Sequence, residues 1–93
     1  MRIAVDIDKT ICEEQKDWWH YSQGVPIPEN IEKINKKYDE GNTIIYYSSR
    51  FEEDREVTIE WLKRHGAKYH RLELGKLRAD LYVDNDSKRM DEL

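Results

Sequence analysis

The sequence predicts an α/β fold, a mostly parallel sheet of about four strands flanked by helices, and three observations predict it. Short apolar runs rich in β-branched residues alternate with segments of helical period. Each helical segment closes at a glycine. Polar residues able to carry chemistry follow directly on the apolar runs. Strands separated by crossover helices pair in parallel, and folds of this kind bind ligands at the carboxyl ends of their strands.

The first element is Arg2-Ile3-Ala4-Val5-Asp6-Ile7, a β-branched run that reads as a buried strand ending near Asp6. Thr10 to Pro26 is the least regular stretch and holds Cys12, a Glu/Lys/Asp segment, Trp18-Trp19-His20-Tyr21 and Gly24. From Pro28 the pattern turns helical. Proline suits a first-turn position, Ile27, Ile31, Ile34 and Tyr38 form one stripe, and Gly41 supplies the terminating residue. Thr43-Ile44-Ile45-Tyr46-Tyr47 is the strongest strand signal. A second helix from about Glu53 would bury Val57, Trp61 and Leu62 and stop at Gly66. Ala67-Lys68-Tyr69-His70-Arg71 reads as a short third strand, and Leu81-Tyr82-Val83 as a fourth that runs into Asp84-Asn85-Asp86.

With 93 residues, 38% of them hydrophobic, one core is available, so residues 1–93 are expected to form a single domain. Charged residues reach 39% but are interspersed with Trp, Tyr and Ile, a pattern of a folded surface rather than a disordered chain. No apolar stretch approaches the roughly 18 residues of a membrane helix, so no membrane partner is expected. The formal charge of −4 argues against a protein that coats nucleic acid, whose footprint is basic, and leaves a small phosphorylated substrate open. The single Cys12 excludes an intrachain disulfide and a cysteine-based zinc site, and a reducing, cytoplasmic setting is expected.

The strand ends carry the functional signal. The first run ends in Asp6-Ile7-Asp8-Lys9-Thr10, the second in Ser48-Ser49-Arg50, and the last in Asp84-Asn85-Asp86, with Gly75-Lys76 between. Carboxylates gathered on one rim repel, so either some are protonated or a cation is present. Hard oxygen ligands favour Mg²⁺, which keeps waters and needs few carboxylates. A carboxylate can also attack phosphorus to form an aspartyl-phosphate. That chemistry asks for a metal, a cation and hydroxyl to hold phosphate oxygens, and an acid for the leaving group.

Asp6-x-Asp8-x-Thr10 after an apolar strand resembles the first motif of the haloacid dehalogenase (HAD) superfamily of phosphatases. Ser48, Lys76 and Asp84 with Asn85 or Asp86 are similar to its second, third and fourth motifs, in order, over most of the chain. Pro26-Ile27-Pro28, Gly41, Ser48-Ser49-Arg50 and Leu74-Gly75-Lys76 look more particularly like small capless members of sugar-phosphate and polysaccharide metabolism.

The resemblance implies a minimal Rossmann-like domain and assigns roles. Asp6 would be nucleophile and Mg²⁺ ligand. Asp8 would be general acid/base, its backbone carbonyl on the metal. Ser48 would bond the phosphoryl group, Lys76 offset its charge, and Asp84 hold Mg²⁺. Ser49, Arg50 and Lys9 are further candidates for binding phosphate, although Arg50 equally suits a salt bridge. Two positions depart from the pattern: Lys9 stands where relatives carry glycine, and Asn85 where many carry a second Asp.

The activity implied is Mg²⁺-dependent phosphomonoester hydrolysis of a sugar phosphate or other small phosphorylated metabolite. Two alternatives stay open: a weakly active or inactive phosphate- or metal-binding regulatory domain, and a phosphatase of nucleotides or phosphorylated macromolecules. A receiver-type signalling domain fits poorly, because its phosphoacceptor ends the third strand and His70-Arg71-Leu72 holds no Asp. The spacing from Thr10 to Pro28 and from Ser48 to Ala67 leaves no room for a cap domain, so a bulky substrate or a lid from a second copy in a homo-oligomer is expected. Trp18, Trp19 and Tyr21, on the loop after the first strand, would form a lid or stacking wall over substrate, or else a hydrophobic plug or self-association surface. His20, His65 and His70 lack metal-ligand spacing, and Trp61 and Cys12 read as packing residues.

Overall fold

The computed structural model describes residues 1–13, 23–75 and 81–83. Strand β1 (Arg2–Asp6) leads to helix α1 (Pro28–Asp39) and strand β2 (Thr43–Ser48). A 3₁₀ turn (Glu52–Asp54) enters helix α2 (Arg55–Arg64), and strands β3 (Arg71–Leu74) and β4 (Leu81–Val83) follow. The sheet order is β3-β2-β1-β4, and every pairing is parallel. The described residues thus form a mixed α/β arrangement with a parallel sheet, compatible with a Rossmann-like fold.

Register and period decide which face is buried. Ile3 lies opposite Ile44, Val5 opposite Tyr46, and Tyr46 opposite Leu72. These alternate residues share one face of the sheet. Ile31 and Ile34 of α1 and Trp61 and Leu62 of α2 join the same cluster, so both helices cover that face. The stripe read from the sequence holds at Ile31 and Ile34, both buried, while Tyr38 packs at its edge. On α2 the buried positions are Thr58, Trp61 and Leu62, so a hydroxyl stands within the apolar stripe. Trp61 is fully buried, and its indole N–H donates to the Gly24 carbonyl at 2.9 Å, tying the return segment before α1 to α2.

Gly41 and Gly66 follow the helices with φ of 97° and 71°, the left-handed values that let the chain turn back toward the sheet. The third strand differs from the sequence expectation: it spans Arg71–Leu74, not Ala67–Arg71. The residues before it serve as a tether. Ala67 N–H donates to the Leu62 carbonyl, His70 N–H donates to the Ile44 carbonyl, and His70 Nδ1 accepts the Ile44 N–H at 3.0 Å. Leu72 and Leu74 pack on the core from the strand itself, while Ala67 and Tyr69 pack against it from the segment before.

Because β1 lies between β2 and β4, the direction of strand addition reverses beside β1. That reversal places the binding crevice of such a sheet at the carboxyl end of β1. Among the described residues, no helix is long and apolar enough to cross a membrane.

Candidate active site

Asp6 is the last residue of β1 and is half-buried in register with Tyr47. The ladder continues one step as Ile7 N–H donates to the Tyr47 carbonyl, and then the chain coils tightly. The Ile7 carbonyl accepts from the backbone N–H groups of Thr10, Ile11 and Cys12, and Lys9 N–H donates to the Cys12 carbonyl at 2.7 Å. Closing this loop requires φ of +71° at Lys9, the only non-glycine in the left-handed region among the described residues. The position therefore has the backbone that glycine favours, and here a lysine adopts it. The loop is anchored from outside as well: Asn30 of α1 donates through Nδ2 to the Thr10 carbonyl at 2.7 Å, and Ile27 N–H donates to the Ile11 carbonyl.

This coil brings Asp8 against the end of β2. Its Oδ2 accepts from Ser48 Oγ at 3.1 Å and from Arg50 Nε at 3.2 Å, and its Oδ1 accepts from Arg50 Nη2 at 2.7 Å. The pairing is forked, the geometry in which a guanidinium binds a carboxylate most strongly. Ser48 Oγ also accepts the Arg50 backbone N–H at 3.0 Å, which fixes the hydroxyl between the two residues. The third nitrogen, Arg50 Nη1, donates to Thr58 Oγ1 at 2.9 Å, and Thr58 Oγ1 donates to the Asp54 carbonyl at 2.8 Å.

The Arg50 side chain is 1% exposed and that of Asp8 29%, so a desolvated cation stands behind a carboxylate that reaches solvent. Of the two roles open to Arg50, the structure places it in an ion pair, and a buried rather than a surface one. Sequence reasoning missed Thr58; its signal was a lone hydroxyl in the buried stripe of α2.

Cys12 lies beside this pair, fully buried. Desolvation first, and the Asp8 charge second, push its thiol up to about 11, against the opposing pull of Arg50. It is a packing residue here, since nucleophilic cysteines need a depressed pKa.

Ser49 is exposed at the same rim, as is Lys9. Gly75 N–H donates to the Ser48 carbonyl at 3.0 Å, so the residue preceding Lys76 is pinned to the end of β2. Lys76, Asp84, Asn85, Asp86, Trp18, Trp19 and Tyr21 lie outside the described residues.

For a divalent cation the test is the donor set. Among the described residues, no three His, Cys, Asp or Glu side chains come together. Asp6 offers a hard carboxylate, and the Asp8 carbonyl is the second candidate. Val83 of β4 pairs with Val5, directly before Asp6, and Asp84 is next in the chain. Few carboxylates, all of them hard oxygen donors, match what Mg²⁺ asks of a protein. Among the described residues, Asp6 and the Asp8 carbonyl are hard oxygen donors of the kind Mg²⁺ takes, and they do not by themselves make a metal site.

No protein-family model matches the sequence, and no curated protein matches it. Solved structures do. The chain is similar to a conserved protein from Bacteroides thetaiotaomicron, with 28% identity and a TM-score of 0.74 over 94% of this chain and 77% of that one. It is similar to a protein from Vibrio cholerae, with 22% identity and a TM-score of 0.73 over 98% and 85%. A third likeness is to a chain of a Pnkp1/Rnl/Hen1 complex, at 20% identity and a TM-score of 0.68, covering 85% of this chain but only 30% of that one. These likenesses show a shared α/β fold and are consistent with a HAD-like one.

Proposed function

We propose that the protein is a Mg²⁺-dependent phosphomonoesterase of HAD-like type, a single capless domain over residues 1–93. The observation that carries the reading is the convergence at one rim of residues distant in sequence. Asp6 ends β1, and Asp8, two positions on, is gripped by Ser48 and Arg50 from the end of β2. A second carboxylate beside the strand-end one, held ionised by a hydroxyl and a buried cation, suits the base step of phosphoryl transfer through an aspartate, in which it takes a proton from water.

In the proposed reaction an Asp6 carboxylate oxygen attacks phosphorus and the bond to the leaving oxygen breaks, with Asp8 delivering a proton to that oxygen. Asp8, now the carboxylate that the Arg50 pair holds, then takes a proton from water. The water oxygen attacks phosphorus, the Asp6–phosphorus bond breaks, and inorganic phosphate leaves. Asp6, the Asp8 carbonyl and Asp84 would hold Mg²⁺, which when bound offsets negative charge on the phosphoryl oxygens. Ser49, Lys76 and Lys9 are the proposed phosphate-side contacts, and Ser48 would join them by turning its one hydroxyl proton from Asp8 to a phosphate oxygen. The proposed substrate is a sugar phosphate or similar small metabolite, reached through an open rim or under a lid lent by a second copy.

The test is release of phosphate from phenyl phosphate with and without Mg²⁺, wild type against Asp6→Asn. Activity that needs both Mg²⁺ and Asp6 supports the reading. Mg²⁺ binding without turnover would favour the regulatory alternative, and equal activity in both proteins would end the catalytic reading.

A further inference from the structure

We infer that Thr58, on α2, is a positioning residue for the proposed acid/base Asp8 and acts on it through the Arg50 guanidinium. This rests on the phosphatase reading above and adds a residue that no motif of the sequence contains.

A guanidinium has five N–H donors in a rigid plane, and its charge is costly to desolvate unless its hydrogen bonds are met. One edge of the plane, Nε and Nη2, meets Asp8. Nη1, on the other side of the plane, donates to Thr58 Oγ1 at 2.9 Å, so the guanidinium is held from α2 as well as by the carboxylate.

The Thr58 hydroxyl is itself oriented. It is fully buried and donates its one proton to the Asp54 carbonyl, four residues back, so its lone pairs are what it presents to Arg50. The acceptor is therefore fixed in direction as well as in place. The chain of contacts runs from the first turn of α2 through Thr58 and Arg50 to the Asp8 carboxylate. Asp8 needs such support, since it stands on the loop after β1 rather than on the strand, and its side chain is part exposed. Acid/base groups contribute only when held within hydrogen-bond reach of the reacting oxygen.

The expected signature is a loss that depends on the leaving group. A misplaced acid matters most when the departing oxygen is strongly basic and least when it leaves readily by itself. Thr58→Val keeps the shape and removes the acceptor. It should lower kcat/KM on phenyl phosphate about 10-fold and on p-nitrophenyl phosphate about 2-fold, a modest part of what acid/base catalysis supplies. Thr58→Ser, which keeps the hydroxyl, should restore both to within about 2-fold of wild type. Arg50→Lys keeps the charge but not the fork, and should show the same leaving-group dependence more strongly. It carries the test if the valine variant melts below the assay temperature.

Equal losses on both substrates, or a serine variant as impaired as the valine one, would overturn the assignment while leaving the phosphatase reading intact. A wild type that hydrolyses neither substrate would overturn that reading and this assignment with it.

Discussion

Replacing Lys9 by glycine should make the protein more stable, although the substitution removes a whole side chain. Lys9 sits at φ +71°, where a Cβ crowds the neighbouring carbonyl. An L-residue in that region carries roughly 1–2 kcal/mol of strain, whereas glycine carries none. Against this, glycine gains freedom in the unfolded chain worth about 0.4–1 kcal/mol. The Lys9 side chain is exposed, so the contacts it forfeits are screened by water. The difference is a net gain of about 0.5–1 kcal/mol, which in a domain this small raises Tm by about 3–6 °C. The loop should keep its shape, since the bond from Lys9 N–H to the Cys12 carbonyl belongs to the backbone. Thermal melting followed by circular dichroism, with Lys9→Ala beside it, is the assay. Alanine keeps the Cβ and should stay near wild type, while glycine should rise. A glycine variant that melts at or below wild type would refute the reasoning, and so would an alanine variant that gains as much.

Two further outcomes follow from the core. Trp61→Phe removes the donor to the buried Gly24 carbonyl and part of a fully buried ring. It should lower unfolding stability by about 2–3 kcal/mol, read as a lower urea midpoint at unchanged slope. The Cys12 thiol is held up to about 11 against an ordinary 9.0, so between those values the unfolded chain has released a proton that the native one keeps. Native stability should therefore fall as pH rises through that window, by at most about 1.4 kcal/mol per pH unit from this group, and fall less steeply in Cys12→Ala. Identical pH profiles in the two proteins would contradict the buried thiol.

How much was legible in the sequence varies by the range of the interaction. Local pattern was enough for β1, β2 and α1, because Ile3, Val5, Ile44, Ile31 and Ile34 repeat at the periods that a buried strand and an amphipathic helix impose. The strand-end position of Asp6 and Ser48 followed from the same runs. The third strand was read four residues early because Ala67–Arg71 has strand-like composition, whereas its place depends on His70 bonding to Ile44 of β2, a contact across 26 residues. The pairing of Arg50 with both Asp8 and Thr58 was equally out of reach. It exists only because the loop after β1 coils back and the chain after β2 turns α2 toward it, and no spacing encodes that. Lys9 is the middle case: its departure from glycine was visible as a residue, but the strain it implies became a number only with the backbone angle.

The central claim is that Asp6 attacks phosphorus and carries the phosphoryl group. The direct measurement is an acid quench of the protein during turnover of phenyl phosphate with Mg²⁺, followed by mass spectrometry of the peptide that holds Asp6. The account predicts a phosphoryl adduct on Asp6 that appears with substrate and is lost in Asp6→Asn together with phosphate release. Phosphate release with Asp6 unmodified, undiminished in Asp6→Asn, would contradict it.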